Sequence, residues 1–213
     1  MDLIASYRNS GFEAVADGAI SFFDRRIDLH RKGIAFSSNP NSIEDQPAKV
    51  STDISLVGID RSDPEAFALS NVIIKGVTAA LNKYLQDRPL IKECVPEKSL
   101  FVIPIFNIQR YEPGEGFKRW HCDWTFNEEE DATEPLKRVL AWILYCNDID
   151  SAGTEFYWQK HHESADRGKL IIFPASPSHI HRGRVSYKNT KTIVTGWINA
   201  GTKESYISHL ASS

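Results

Sequence analysis

The chain has 213 residues, of which 41% are hydrophobic, so it is long enough to bury a substantial core within one domain. A formal net charge of -3 gives no broad basic field, and nucleic acid is therefore not an expected partner. Three scattered cysteines argue against a disulfide framework, and no leader pattern or membrane-length apolar stretch is evident, so we expect a cytoplasmic protein that does not insert into a membrane.

Helical patterns dominate the first hundred residues. Apolar spacing predicts a weaker helix over residues 10–25 and a longer amphipathic helix over residues 64–87. The longer helix has a clear start, because Asp63 can cap free amides and Pro64 loses no useful donor at the first helical position. Its role is expected to be structural, with the apolar face packed on another element.

Polar and turn-forming residues fill the connection between these two helices. Residues 30–62 are rich in Ser, Asn, Pro and Asp, which predicts a loop with one short strand near residues 54–57. We therefore expect residues 1–99 to be a helical and loop support region within a single domain over residues 1–213.

After residue 100 the pattern changes to short runs of β-type residues separated by turn residues. Five such runs cover residues 100–109, 139–146, 154–158, 169–173 and 190–199. Because no helices separate them, they favour an antiparallel sandwich or barrel over a parallel α/β sheet. All five tryptophans lie in or beside these runs, so we expect the main core there. The expected fold class is mainly β with flanking α-helices that cover one sheet, and with residues 201–213 as a C-terminal tail.

A histidine and a carboxylate stand two residues apart within residues 120–124. Side chains alternate along an extended strand, so His121 and Asp123 would point to one side and could both reach one metal ion. The pair alone is a weak signal, because such spacing occurs by chance in many chains. A hydrogen-bonded surface pair is the alternative.

Two further imidazoles follow the apolar run at residues 170–173. His179 and His181 are two residues apart and would share one face. Two imidazoles and one carboxylate leave three octahedral positions open, the arrangement typical of non-haem iron(II) that binds a co-substrate and dioxygen together. A single histidine near a strand end is alternatively a hydrogen-bonded polar side chain.

The last predicted strand carries a lysine on an apolar face. Alternation places four residues on that face, namely Lys191, Ile193, Thr195 and Trp197. A buried ammonium group requires an anion, so a bound carboxylate is one explanation of this lysine. The alternative is a lysine whose head group reaches water at the strand end.

The candidate ligands, the lysine and neighbouring aromatic residues form one pattern along the chain, defined by residue type, order and spacing. The pattern consists of Tyr111, His121, Asp123, His181, Lys191 and Trp197. The pattern resembles the prolyl 4-hydroxylase-like group of 2-oxoglutarate/iron(II) dioxygenases over about residues 100–200. The stretches His-Arg-Gly at 181–183 and Thr-Gly-Trp-Ile at 195–198 are similar to the bacterial and phage branch of that group.

The resemblance implies a fold and a metal site. The fold is a double-stranded β-helix, or jelly roll, formed by a catalytic core over residues 100–200. The catalytic iron ligands would be His121, Asp123 and His181, with His179 as the alternative distal ligand. We favour His181 because of its spacing to Lys191, which lies on a strand whose register is fixed by side-chain alternation. The spacing that would select His179 runs through a Pro-Ser segment, whose length can vary between relatives.

The resemblance also implies a co-substrate site. Lys191 would pair with the distal carboxylate of 2-oxoglutarate, and it supplies a cation where relatives more often have arginine. Thr195 and Trp197 share its face and are expected at the same site. Tyr111 and Tyr145 match positions that often hydrogen-bond the co-substrate in relatives. Their alternative is a core aromatic role with the hydroxyl bonded elsewhere.

By the same resemblance, the activity would be hydroxylation of a C–H bond with release of succinate and carbon dioxide. The cofactors would be iron(II), 2-oxoglutarate as co-substrate and dioxygen, with ascorbate as an optional reductant. The substrate would be a peptide, with prolyl as one option, or a small molecule. The enzyme would be a monomer or a homodimer without nucleic-acid or membrane partners.

Two other functions would also use these histidines. One is a non-catalytic β-sandwich module in which they are structural or hold zinc, and the other is a zinc-dependent hydrolase with the same three ligands and a water molecule. An acidic loop over residues 126–138 follows the ligand pair and is either a solvated loop or a lid that faces the substrate.

Overall fold

The computed structural model describes residues 3–35, 48–95, 99–124 and 138–201. The helices in these ranges are α1 (Ser10–Arg25), α2 (Pro64–Asp87) and α3 (Pro89–Cys94). The strands are β1 (Ala5–Arg8), β2 (Arg31–Lys32), β3 (Lys49–Val50), β4 (Thr52–Val57), β5 (Leu100–Tyr111), β6 (Gly116–Phe117), β7 (Arg138–Tyr145), β8 (Ile149–Phe156), β9 (His161–Ala165), β10 (Lys169–Pro174), β11 (His181–Arg184) and β12 (Lys191–Ala200).

Local capping explains where the two long helices begin. The Asn9 side chain accepts a hydrogen bond from the Phe12 amide at the start of α1. The Asp63 side chain accepts hydrogen bonds from the amides of Glu65 and Ala66 at the start of α2. Both caps satisfy amides that have no partner within their own helix. The two predicted helices are confirmed.

Two antiparallel sheets pack face to face. The major sheet has seven strands in the order β1-β10-β7-β12-β5-β4-β2, and the minor sheet has three strands in the order β11-β8-β9. A separate two-stranded pair consists of β3 and β6. The rings of Phe156 on β8 and Phe173 on β10 meet between the two sheets, with centroids 5.0 Å apart. The predicted antiparallel sandwich with flanking helices is therefore confirmed.

Side-chain alternation gives the major sheet two apolar faces. One face packs under the helices, where Phe106 and Trp142 share a cluster with Phe22 of α1 and Tyr84 of α2. The opposite face packs against the minor sheet, and Ile143 is one of its buried residues. Because the helices close the first face, only the second face can line a cavity between the sheets.

The N-terminal region contributes more to the sheet than the sequence indicated. β1 pairs with β10, β4 pairs with β5, and β2 extends the sheet beyond β4. The strand expected near residues 54–57 is present, but β1 and β2 were missed. Strands of two to four residues at a sheet edge have little pattern of their own, because the neighbouring strand determines their conformation.

The tryptophans near the strands differ in burial. Trp142 is fully buried, whereas Trp124 and Trp158 are 49% and 61% exposed, so only some of them belong to the core. No helix in the described ranges has both the length and the apolar character needed to cross a bilayer. Residues 126–137 of the predicted acidic loop and the tail from residue 202 lie outside the described residues.

Candidate active site

A pocket between the two sheets is lined by nearly all the residues that the sequence singled out. The major sheet contributes Tyr111, Tyr145, Lys191, Thr195 and Trp197. The opposite wall contributes His121, Asp123 and His181. His179, the alternative distal ligand, is not among the residues that line the pocket.

Backbone pairing brings the three candidate metal ligands together. His121 and His181 form an isolated antiparallel bridge, in which the His121 amide donates at 3.0 Å and the His181 amide donates at 2.8 Å. The Asp123 amide donates to the Ala175 carbonyl at 3.0 Å. One ligand atom from each of the three side chains lies within 4.8 Å of the other two. The predicted strand over residues 120–124 is reduced to this one bridge.

Two backbone carbonyls determine which nitrogen of each imidazole faces the pocket. Nδ1 of His121 lies 3.0 Å from the Arg119 carbonyl, and Nδ1 of His181 lies 3.0 Å from the His179 carbonyl. A carbonyl oxygen only accepts, so each Nδ1–H donates a hydrogen bond to its carbonyl, and in the neutral form of each ring Nε2 carries the lone pair. The same arrangement orients metal-binding histidines in general.

With both rings neutral, the three candidate ligand groups present acceptors to one another. Nε2 of His181 lies 3.5 Å from Oδ2 of Asp123, and in this form its lone pair faces a carboxylate oxygen. A cation among the three groups would turn this repulsion into attraction. The donor set, two imidazoles and one carboxylate, fits iron(II) with open coordination positions.

Burial keeps the His121 imidazole uncharged. Desolvation, followed by the neighbouring charge of His181, lowers the pKa of His121 to about 4. Phe117 stacks on this imidazole, with ring centroids 3.7 Å apart and an interplanar angle of 19°. The ring is thus neutral and held in one orientation, which is the state that a metal ion binds.

His179 occupies a different environment from the three clustered ligands. It ends the short 3-10 turn Pro177–His179, and its Nδ1 shares a hydrogen bond of 2.9 Å with the Ser178 hydroxyl. Within the described ranges, the group of close ligand atoms contains His181 and does not contain His179. The geometry therefore favours His181 as the distal ligand.

Lys191 is buried inside the pocket, with 4% of its surface exposed. Its Nζ donates to the Arg184 carbonyl at 2.9 Å and lies 4.8 Å from the centroid of the Tyr111 ring. Burial lowers the pKa of Lys191 to about 8. A side chain that reaches water, the alternative considered for this lysine, is therefore wrong. Gly183 lies beside it, where an added Cβ would be 3.3 Å from Nζ.

The three hydroxyls expected at the co-substrate site all donate to acceptors within the protein. Tyr111 donates to Oε1 of Gln109 at 2.6 Å, and Tyr145 donates to the Thr154 hydroxyl at 2.7 Å. Thr195 donates to the Trp142 carbonyl at 2.9 Å. Burial raises the pKa of both tyrosines, which keeps their protons in place. This geometry supports the alternative in which these hydroxyls are satisfied elsewhere.

Several pocket residues were not singled out from the sequence. Four of them are Gln109, Phe117, Thr154 and Gly183. Alternation along the β5 pattern places residue 109 on the face of residue 111, so Gln109 was within reach of sequence reasoning. The other three lie on β6, β8 and β11, whose position opposite the major sheet depends on the tertiary fold.

Comparison with known families agrees with this geometry. Residues 106–199 match the family model described as the 2OG-Fe(II) oxygenase superfamily. Residues 106–199 form a 2OG-Fe(II) oxygenase domain. The matched segment contains the three clustered ligands and Lys191, and the enzyme class is that of a 2-oxoglutarate-dependent dioxygenase with iron(II) and dioxygen. No curated protein matches the chain.

Solved structures similar to the oxygenase include prolyl hydroxylases from three sources. A viral collagen prolyl hydroxylase from Paramecium Bursaria Chlorella virus-1, in complex with 2OG, has a TM-score of 0.61 at 16% identity and covers 93% of this chain and 97% of its own. A Pseudomonas putida prolyl-4-hydroxylase has a TM-score of 0.57 at 15% identity, with 94% of each chain covered.

The third similar structure is a Trichoplax adhaerens prolyl hydroxylase in complex with a peptide fragment from the oxygen degradation domain of hypoxia inducible factor. It has a TM-score of 0.59 at 13% identity and covers 94% of this chain and 84% of its own. At such low identity, the likeness concerns the fold, and it confirms the predicted jelly roll. The match to the family model confirms the predicted resemblance to 2-oxoglutarate/iron(II) dioxygenases.

Proposed function

We propose that this oxygenase hydroxylates a C–H bond of a peptide, with a prolyl residue as the first substrate to test. His121, Asp123 and His181 would hold iron(II), and Lys191 would bind the distal carboxylate of 2-oxoglutarate. The observation that carries the proposal is the convergence of two imidazoles and one carboxylate, within 4.8 Å, beside a buried lysine.

The chain's own groups would bind, orient and shield the reactants. His121, Asp123 and His181 would hold the metal and leave coordination positions for the co-substrate and dioxygen. When bound, the iron would activate dioxygen with 2-oxoglutarate as reductant, with succinate, carbon dioxide and a hydroxylated product as the outcome. Ile143, Phe173 and Ile193 are buried apolar residues of the pocket wall that limit water access.

A peptide substrate is supported by two observations. The similar structures are named as prolyl hydroxylases, and one of them holds a peptide fragment. The pocket also has an aromatic side, because Trp197 lines it, while the Arg138 guanidinium covers one face of that ring at 3.6 Å from its centroid. A flat aromatic surface suits the apolar ring of a prolyl residue.

The proposal is tested by turnover of protein purified without oxygen and loaded with iron(II). The protein would receive 2-oxoglutarate, dioxygen and a panel of proline-containing peptides, with succinate and oxygen incorporation into the peptide as readouts. We expect succinate release to rise with a hydroxylated peptide. His121→Ala and Asp123→Ala should abolish succinate release, because each removes a metal ligand.

Three results would contradict different parts of this proposal. Normal turnover by His121→Ala or Asp123→Ala would show that these residues are not the metal ligands. Bound zinc with no succinate release would favour the hydrolase or the non-catalytic module. Succinate release that responds to small molecules but to no peptide would leave the oxygenase in place and exclude the peptide substrate.

A further inference from the structure

We propose that the carboxamide of Gln109 is a second anchor for 2-oxoglutarate, donating a hydrogen bond from Nε2 to an oxygen of the bound 2-oxoacid while Tyr111 holds the amide in that orientation. This inference rests on the proposed co-substrate site and deepens it. It assigns Gln109 a direct contact and Tyr111 a positioning role that acts through Gln109.

The Gln109 amide is buried in the pocket with its donor end unsatisfied. Only 7% of the residue is exposed, and it lines the same pocket as the metal cluster and Lys191. Its Oε1 accepts from the Tyr111 hydroxyl at 2.6 Å. No residue in the described ranges accepts a hydrogen bond from its Nε2, and this atom is not among the fully enclosed polar atoms, so an occupant of the pocket can reach it. A bound molecule with an acceptor oxygen at this point would gain the hydrogen bond.

The nearby carboxylate does not serve as that acceptor. Asp53 on β4 pairs in register with Gln109 on β5. Its carboxylate already accepts from the Lys49 ammonium at 2.5 Å and from the Ser51 hydroxyl at 2.7 Å. Within the described ranges no hydrogen bond joins Asp53 to Gln109, so the Gln109 N–H groups are left for the occupant.

An anionic occupant fits the donors of this pocket. The Tyr111 hydroxyl and the Thr195 hydroxyl use their protons within the protein. Lys191 has donated one of its three N–H groups, to the Arg184 carbonyl, and keeps two for an occupant. Lys191 on β12 and Gln109 on β5 thus offer N–H groups from neighbouring strands of one sheet. A dicarboxylate such as 2-oxoglutarate has several oxygens that can accept hydrogen bonds from these groups.

The test is the affinity for 2-oxoglutarate, measured without turnover and without a primary substrate. Manganese(II)-loaded protein would be titrated calorimetrically with 2-oxoglutarate, so the readout does not depend on activity. Gln109→Leu should weaken binding about tenfold, the effect of one lost hydrogen bond to a charged acceptor. Gln109→Glu should weaken it further, because a carboxylate would then face the ligand's own carboxylate.

Tyr111→Phe supplies the test of positioning. It should weaken binding about threefold in the native background and have no further effect in a Gln109→Leu background, because it acts only through the amide. Asn107→Leu, the same amide loss two residues earlier on β5 and outside the pocket lining, should leave binding unchanged. Gln109→Met, closer in shape, replaces Gln109→Leu if that variant does not fold.

The outcomes separate this inference from the proposed function. If native protein binds manganese(II) but not 2-oxoglutarate, the proposed function fails. If native protein binds 2-oxoglutarate and Gln109→Leu or Gln109→Met binds it equally well, the second anchor is refuted. The second anchor is also refuted if Gln109→Glu binds 2-oxoglutarate as tightly as the native protein. The positioning role of Tyr111 is refuted if Tyr111→Phe weakens binding as much in the Gln109→Leu background as in the native background.

Discussion

Replacing Lys191 by methionine should make the ligand-free protein more stable and its 2-oxoglutarate site weaker. The ammonium group lies inside the pocket, and within the described ranges it forms no ion pair. Methionine has a similar length and no charge, so it fills the same space without the desolvation penalty. Stability and co-substrate binding are therefore expected to change in opposite directions.

The magnitude follows from the pKa of the buried lysine. Burial lowers that pKa from 10.5 to about 8. At ~1.4 kcal/mol for each tenfold change in proton affinity, the buried charge costs the folded state about 3 kcal/mol at pH 7. Loss of the hydrogen bond from Lys191 to the Arg184 carbonyl offsets ~1 kcal/mol of the gain. We expect Lys191→Met to raise the free energy of unfolding by roughly 2 kcal/mol.

The expected gain depends on pH with a defined sign. Below pH 8 the lysine is protonated in both the folded and the unfolded chain, so the penalty is fully present. Between about pH 8 and 10.5 the folded chain releases the proton first, and the unfolding free energy of the native protein rises. The advantage of Lys191→Met over the native protein should therefore shrink as the pH increases through this window.

The assay is urea unfolding of metal-free protein, followed by tryptophan fluorescence at pH 7 and pH 9. Lys169→Met is the matched control, because Lys169 is equally buried but lies 3.1 Å from both Glu163 and Asp166. Its removal takes the nearest cation from two partly buried carboxylates and should destabilise the protein. The reasoning would be refuted if Lys191→Met were less stable than the native protein at pH 7. It would also be refuted if the difference in unfolding free energy between the two proteins were the same at pH 7 and pH 9.

The remaining predictions concern ligand choice, crowding and pH. His181→Ala should lose metal in equilibrium dialysis, whereas His179→Ala should retain it, because only His181 belongs to the close cluster. Gly183→Ala should weaken 2-oxoglutarate binding several-fold with little change in melting temperature, since its Cβ would lie 3.3 Å from the lysine Nζ. Above pH 8, affinity for 2-oxoglutarate should fall about tenfold per pH unit, because Lys191 loses its charge, and Lys191→Arg should abolish that dependence.

The sequence predicted correctly those helices and strands that are determined by neighbouring residues, such as a capping residue or an apolar repeat. Asp63 and the following proline mark the start of α2, and the apolar spacing gives its length. Five β-type runs correspond to β5, β7, β8, β10 and β12. The start of β8 was missed, because its pairing with β9 is irregular between Ile149 and Gly153, and a bulge leaves no mark in side-chain alternation.

Hydrogen-bond partners inside the pocket were beyond sequence reasoning. The sequence placed Tyr111 and Tyr145 at the site, but whether a hydroxyl is free depends on residues brought beside it by other strands. Thr154 comes from the minor sheet and accepts the Tyr145 proton. Gln109 comes from the same strand as Tyr111 and was overlooked because amide side chains are not distinctive in sequence.

The sequence by itself determined the ligand types, their order along the chain and the inward face of β12 that carries Lys191. Alternation is a property of the extended backbone and needs no tertiary information. Only the tertiary structure decided that His181 meets His121 and Asp123, because two backbone hydrogen bonds tie residues sixty positions apart into one bridge. Distances between such remote groups are set by strand pairing, which no local pattern specifies.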